Sequence, residues 1–244
     1  MSDSALPACL PIHLDAIVPD YPAKSRAKRA LDLSVALIAV LILLPLLVLV
    51  SVAIRLESSG PILFRQRRTG LGGREITVLK FRTMKVMEDG EAIVQASRGD
   101  PRVTRVGYFL RRSSIDELPQ LINVLRGNMS LVGPRPHAIA HDTFYQSQIR
   151  TYSQRFRAKP GITGLAQVNG LRGECATVEA MERRVERDLE YINDWSIGRD
   201  FLIIAKTIAV VPFQATAYGL IASALALSSF ALERPVGGLS AALV

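Results

Sequence analysis

The chain has 244 residues, enough to bury the core of one domain with an appendage. A net charge of +8 on a chain that is 49% apolar points to an anionic partner met at lipid. An aromatic content of 6% leaves too few stacking platforms for nucleic acid, and two distant cysteines, Cys9 and Cys175, exclude a disulfide framework and fit a reducing compartment.

Residues 1–27 form a tail with Pro7, Pro11, Pro19 and Pro22 and without the pattern of a secretory signal. A cationic run, Lys24, Arg26, Lys28 and Arg29, straddles its end. Leu33 to Ile54 follows without a charge, about 33 Å if wholly helical. Length alone suits a spanning helix, and a buried core helix is a further option. Two features argue for another geometry. Pro45 removes a backbone hydrogen bond in mid-segment. Cations also flank both ends, with Arg55, Arg65, Arg67 and Arg68 on the far side, so the positive-inside rule sets no orientation. A re-entrant helix-break-helix over 33–54 reconciles both.

Pro61–Phe64 and Glu75–Phe81 are expected as strands around a turn with Gly70, Gly72 and Gly73. Neither GxGxxG nor GxxxxGK[ST] occurs, so these glycines do not predict a nucleotide cradle. Arg82–Arg105 reads as irregular, Val106–Arg111 as helix, and Pro119–Arg126 as a helix ending at Gly127. Ala138–Arg157 reads as one helix, Lys159–Gly164 as a loop, Ala166–Val168 as a strand and Thr177–Trp195 as a charged helix. Phe201–Phe213 is amphipathic and suits a membrane interface as well as a core; Leu220–Leu232 is apolar but too short to span. The expected fold is α/β and mostly helical.

The chemistry concentrates between Arg111 and Pro136, where Asp116-Glu117 is set among Arg111, Arg112, Arg126 and Arg135. Ser113-x-x-Asp116 and Ser114-x-x-Glu117 each match a helix capping box, with Pro119 suited to a first turn. A functional reading is compatible with that one. A helix start attracts phosphate and keeps a carboxylate ionised by lowering its pKa, fit to be a nucleophile. Its neighbour can take Mg²⁺, which bridges carboxylates to substrate phosphates. Arginines can neutralise a diphosphate, and Arg135 is held rigid between Pro134 and Pro136. His137 and His141 have the spacing of zinc ligands on a helix, but Ala138 stands where HExxH has Glu, so they read as surface or supporting residues.

Several motifs in fixed order resemble the bacterial sugar transferases, the monotopic phosphoglycosyl transferases. They are Lys28-Arg29-x-x-Asp32, the segment with Pro45, Lys80-Phe-Arg-Thr-Met84, Asp100-Pro-Arg-Val103, and Leu110 through Asp116-Glu117-Leu-Pro-Gln-Leu121. Asn123–Gly127, Met129–Pro136, Lys159-Pro-Gly-Ile-Thr-Gly164 and Gln167-Val-Asn-Gly170 continue the series. The stretch from Arg172-Gly-Glu174 to Trp195 looks most like the undecaprenyl-phosphate glucose phosphotransferase branch. The resemblance implies one catalytic domain over 28–219, leaving 220–244 as an extension without an assigned role. It implies a monotopic unit on the cytoplasmic face of the bacterial inner membrane, with a re-entrant helix and interfacial amphipathic helices contacting lipid.

The implied reaction passes sugar 1-phosphate from a UDP-sugar, glucose or galactose, to undecaprenyl phosphate. It releases UMP through a covalent aspartyl-phosphosugar and starts exopolysaccharide or other glycoconjugate assembly. By the same resemblance Asp116 is the nucleophile, Glu117 helps hold Mg²⁺, Arg111, Arg135 and Lys80 contact phosphates, and Asp188 supports the site. Two positions depart from the family pattern: Leu44 where Ser often precedes the proline, and Leu165 where Trp follows Gly-Ile-Thr-Gly. The pattern leaves room for a homo-oligomer. The rival readings are an inactive membrane-tethered scaffold of a polysaccharide assembly complex and a lipid-linked diphosphatase.

Overall fold

The structure, a computed structural model, describes residues 22–85, 100–173, 175 and 177–209. The readings made for residues 1–21 of the N-terminal tail, with Cys9, for 86–99 within Arg82–Arg105, for Leu220–Leu232 and for the far end of Phe201–Phe213 lie outside these residues.

Helix α1 (Arg26–Glu57) opens on Ser25, whose side chain accepts from Lys28 N, and is assigned as helix through Pro45. Pro45 has no N–H, so the Leu41 carbonyl lacks its usual donor one turn on. One face of α1 is the inner face. Lys28, Asp32 and Ala36, spaced four apart, are buried, as are Val50 and Ile54 beyond the proline. Val35, Ala39, Val40 and Leu43 pack on a cluster containing Val124, Met129, Leu131, Tyr191 and Ile203. Leu46, Leu47, Val50 and Ile54 pack on or within another with Phe81 and Leu110. The outer face exposes Leu37, Ile38, Leu41, Ile42, Leu44, Val48, Leu49 and Val52. Burying one such side chain is worth about 1.5–3 kcal/mol, so in water this row leaves on the order of 10 kcal/mol unrealised.

Polar anchors fasten both ends of α1. Lys28 Nζ donates to Asp200 Oδ2 at 2.7 Å, inside the protein. Arg29 donates to the Val124 and Leu125 carbonyls at 2.6 and 2.8 Å, and Asp32 accepts from Ser130 Oγ and Leu131 N, both at 3.0 Å. Lys28 and Arg29, in the cationic run read as a membrane flank, are therefore engaged with the protein itself. At the other end Glu57 accepts from the first amides of α2 (Arg105–Ser113), 2.7 Å from Arg105 N. Arg82 donates to the carbonyls of Ser58 and Ser59 at 2.7 and 2.8 Å.

Strands β1 (Leu63–Thr69) and β2 (Glu75–Phe81) pair antiparallel, Leu63 opposite Phe81. The turn between them uses Gly72 and Gly73 at φ 65° and 76°. A 3₁₀ turn, Ile115–Glu117, separates α2 from α3 (Gln120–Arg126), which ends at Gly127 with φ 84°. Strands β3 (Ser130–Val132) and β4 (Gly161–Thr163) pair in parallel. Their approach is so close that a Cβ on Gly133 would lie 2.3 Å from the Lys159 carbonyl. Helices α4 (Ile139–Gln148), α5 (Leu165–Val168) and α6 (Val178–Asn193) follow, with residues 197–209 forming the described part of α7.

Four expected elements differ. No break interrupts α1 at Pro45, where a helix-break-helix was expected, and the first strand runs Leu63–Thr69, beyond the expected Pro61–Phe64. Ala138–Arg157 is not one helix: α4 stops at Ile149, in extended backbone, and a separate 3₁₀ helix spans Tyr152–Arg157. The break turns Ile149, Tyr152 and Phe156 into one cluster with Met181 and Val185 of α6, a tertiary demand that local propensity does not carry. Ala166–Val168 is helix instead of strand. The strand lies earlier, at Gly161–Thr163, where β3 supplies a partner, and Val168 N then closes a turn on the Gly164 carbonyl.

Candidate active site

Asp116 and Glu117 occupy the short 3₁₀ turn between α2 and α3, and the capping boxes do not form. Ser114 is left-handed at φ 60° without a capping bond, and Ser113 Oγ donates back to Phe109 O at 2.9 Å. Ser114 is the only non-glycine residue with positive φ among those described, a strained position of the kind that clusters at functional sites. Asn123 sets the height of the turn. Its side chain accepts from Leu79 N at 2.9 Å and donates to Thr77 O at 2.7 Å, substituting for a strand neighbour and pinning α3 to β2. Lys80, the next residue on β2, therefore meets Glu117.

Glu117 is buried and surrounded by cations. Arg135 grips it through two bonds, Nη1 to Oε2 at 3.1 Å and Nη2 to Oε1 at 2.5 Å. Lys80 Nζ donates to Oε1 at 3.1 Å, and Arg172 Nη2 lies 3.9 Å from Oε2. Burial opposes the charged form, but the Arg135 and Lys80 charges outweigh it and hold the carboxyl well below its ordinary pKa.

Asp116 is partly exposed and has no hydrogen-bond or ion-pair partner among the described residues. Lost hydration and the Glu117 charge push its pKa up to about 6, against the pull of Lys80, Arg135 and Arg111. This corrects the expectation that a helix start lowers it. The turn is too short for a helix dipole to compete with a like charge one residue away. At pH 7 about nine in ten such groups are still ionised. The pair has thus divided into a permanently charged, clamped glutamate and an unclamped aspartate with raised basicity.

Arg111 is exposed at the end of α2, its Nη1 3.7 Å from Met84 Sδ, and acts on Asp116 through space. Arg112 and Arg126 are exposed and make no bond to the pair. Asp188 is not in the cleft. It is buried on α6, where Arg155 Nε donates to it at 2.8 Å, and Arg155 Nη2 donates to the Arg135 carbonyl at 2.7 Å. Asp188 thereby positions Arg135 from behind. His137 is buried rather than superficial, 2.7 Å from Tyr152 Oη and 3.1 Å from Arg155 Nη1. Burial and the Arg155 and Arg184 charges hold it well below the usual pKa, hence neutral.

Arg172 was not singled out as a site residue in the sequence. The available signal was a lone cation in a loop bounded by Gly170 and Gly173, both at positive φ, and its distance of 55 positions from Glu117 hid the contact.

Among the described residues no group of three or more His, Cys, Asp and Glu is placed to hold a metal. The adjacent carboxylates do match Mg²⁺, which takes one or two carboxylates with waters and substrate phosphates. Four cations, Lys80, Arg111, Arg135 and Arg172, face two carboxylates, so a bare dication is disfavoured and one already paired with a diphosphate is welcome.

The chain is similar to known proteins over most of its length. A family model described as bacterial sugar transferase matches residues 23–214. The UDP-glucose:undecaprenyl-phosphate glucose-1-phosphate transferase of Caulobacter vibrioides is 57% identical over 181 residues, 74% of this chain and 68% of that protein. The Escherichia coli K12 protein of the same name is 54% identical over 74% of this chain, which spans only 39% of its length. The exopolysaccharide production protein PSS of Rhizobium leguminosarum is 45% identical, covering 74% of this chain and 92% of that relative. The chain belongs to the bacterial sugar transferase family.

Proposed function

We propose that this protein transfers glucose 1-phosphate from UDP-glucose to undecaprenyl phosphate, releasing UMP and initiating exopolysaccharide assembly. The observation that carries the reading is the division of labour in the carboxylate pair: Glu117 is clamped by Arg135 and Lys80 while Asp116 is left unpaired beside them. Galactose is the second donor sugar to test, and the names of the most similar relatives favour glucose.

In the first step an Asp116 oxygen attacks the phosphorus bearing the sugar. A P–O bond to that oxygen forms, the bond to the bridging diphosphate oxygen breaks, and UMP departs with that oxygen and its electron pair. In the second step a phosphate oxygen of the polyprenyl acceptor attacks the same phosphorus, and Asp116 leaves as a carboxylate. Two displacements let a soluble donor and a lipid acceptor use one site in turn. Lys80, Arg111, Arg135 and Arg172 counter the negative charge of the phosphoryl oxygens, and Arg135 is kept in place by Arg155 and Asp188. Glu117, with Asp116 beside it, would hold Mg²⁺ together with donor oxygens, and the ion would supply Lewis-acid charge neutralisation.

The membrane geometry follows from α1. Its exposed apolar row needs lipid, while Arg29 at one end and Glu57 at the other are fastened to α3 and α2 of the same folded unit. Ends tied to one unit favour a helix that enters and leaves the cytoplasmic leaflet over one that spans. Phe201, Leu202 and Ile208 of α7 are exposed apolar side chains as well. An inactive scaffold would have no use for so complete a cation ring.

The test is a single-turnover reaction of membrane-reconstituted protein with labelled UDP-glucose and Mg²⁺ but no acceptor. Wild type should release one UMP per protein and retain the label; Asp116→Asn should do neither. Equal label on the variant removes Asp116 as nucleophile. No UMP from the wild type with any UDP-sugar would leave the scaffold reading in its place.

A further inference from the structure

Beside Glu117 lies a cleft of about 210 Å³, smaller than the ~300–1,000 Å³ that encloses a whole drug-sized ligand. Ile115, Leu118, Ile162 and Val168 give it apolar walls, and none of its lining residues is aromatic. Its polar lining is mixed: Ser113, Ser114, Glu117 and Arg172 stand with Thr163, Gln167 and Thr207. Gln167 is 7% exposed, and its Nε2 donates to Ile162 O at 3.1 Å, which fixes the amide orientation and turns Oε1 the other way. Oε1 is buried without a hydrogen-bond partner. Thr207 Oγ1 donates to Ile203 O at 2.7 Å, so in its 2.7 Å contact with Thr163 Oγ1 it must accept. Thr163 has then donated its proton and keeps only lone pairs.

A buried acceptor left unpaired costs stability, and such groups call for an explanation. Here Gln167 and Thr163 bring two acceptors to a cleft that also carries Arg172, Glu117, Ser113 and Ser114 among its apolar walls, so its complement is a ligand with an apolar body and several hydroxyls, which both donate and accept. A polyprenyl chain has no donor. A nucleobase would be expected to find a stacking ring, and it lies two phosphates from the sugar. The sugar is joined directly to the phosphorus that the nucleophile attacks, and the cleft is bounded by Ser114, Ile115 and Glu117, the immediate neighbours of Asp116.

We propose that the hexose of the donor occupies this cleft and that Gln167 Oε1 accepts a hydrogen bond from one of its hydroxyls, making Gln167 a specificity-determining residue. The proposal rests on the phosphoglycosyl transfer reading and adds to it a place for the sugar.

The experiment measures kcat/KM for UMP release with UDP-glucose and its 2-, 3-, 4- and 6-deoxy analogues, in wild type and in Gln167→Met. One deoxy donor should lose about 10- to 100-fold with wild type, the cost of an unmade buried hydrogen bond. Gln167→Met should lose a similar factor with UDP-glucose and nothing further with that analogue, and its KM for undecaprenyl phosphate should not move. Thr163→Val provides a second cycle that keeps side-chain volume, should Gln167→Met fail to fold. Wild-type turnover with no deoxy penalty at any position overturns the proposal alone. So does a Gln167→Met effect confined to the KM of the lipid acceptor. Absence of UMP release from every UDP-sugar removes the parent reading with it.

Discussion

Asp116→Asn should make this protein more stable as it makes it inactive. The folded carboxyl is pushed from 3.8 to about 6, so the folded state holds its proton more tightly than the unfolded chain does. Stability therefore falls as pH rises from about 4 to 6 and stays lower above that. Two pKa units correspond to about 3 kcal/mol as an upper bound, and partial solvent access reduces this to about 1–3 kcal/mol at neutral pH. Asparagine occupies the same space without the charge and escapes the penalty. At roughly 2–4 °C per kcal/mol for a domain of this size, Tm should rise by roughly 2–12 °C at pH 7.5. At pH 3.5 the gain should vanish, because wild-type Asp116 is then protonated. The chain has one tryptophan, Trp195, whose Nε1 donates to buried Asp200 at 3.2 Å, so its fluorescence reports unfolding. A variant that melts at or below wild type at pH 7.5, or that gains equally at both pH values, refutes the account of Asp116 as a charge held at a cost.

The acid limb of the UMP burst should fall about tenfold per pH unit below about 6, since the attacking form is the carboxylate. Omitting the lipid acceptor matters here, because a phosphate monoester titrates in the same range. Glu117→Gln removes the neighbouring negative charge and should move that limb to lower pH, whereas Lys80→Met removes a cation and should move it to higher pH. Lys28→Met leaves Asp200 buried without its cation and should destabilise the domain by about 3–5 kcal/mol; adding Asp200→Asn should recover part of that in melting experiments. Chelation should abolish UMP release, yet Mg²⁺ binding measured calorimetrically should be weak until UDP-glucose is present, given the cation excess around Glu117. A tag on the N-terminus should be reached by membrane-impermeant reagents from the cytoplasmic side; labelling from the periplasm would mean that α1 spans.

Local chemistry was legible where one residue type answers a local need. The uncharged run from Leu33 to Ile54, the Gly127 helix stop and the β1–β2 hairpin stand in the sequence because burial, positive φ and tight turns are short-range demands. The Asp116-Glu117 pair, Arg135 and Lys80 were also visible as candidates. Their roles were not. Asp116 and Glu117 are one residue apart, and only the clamp from β2, the β3–α4 link and the loop after α5 decides which of them is held and which is left unclamped. Asp188 reaches the site through Arg155, a relay that spacing does not reveal. The break at Ile149 and the strand at Gly161–Thr163 were misplaced because each depends on a partner far along the chain. The sequence by itself determined that a carboxylate pair stands among arginines in a chain that also carries a long apolar segment. Tertiary structure alone decided which carboxylate is free, because a pKa is set by the charges and burial that folding assembles rather than by the residues next door.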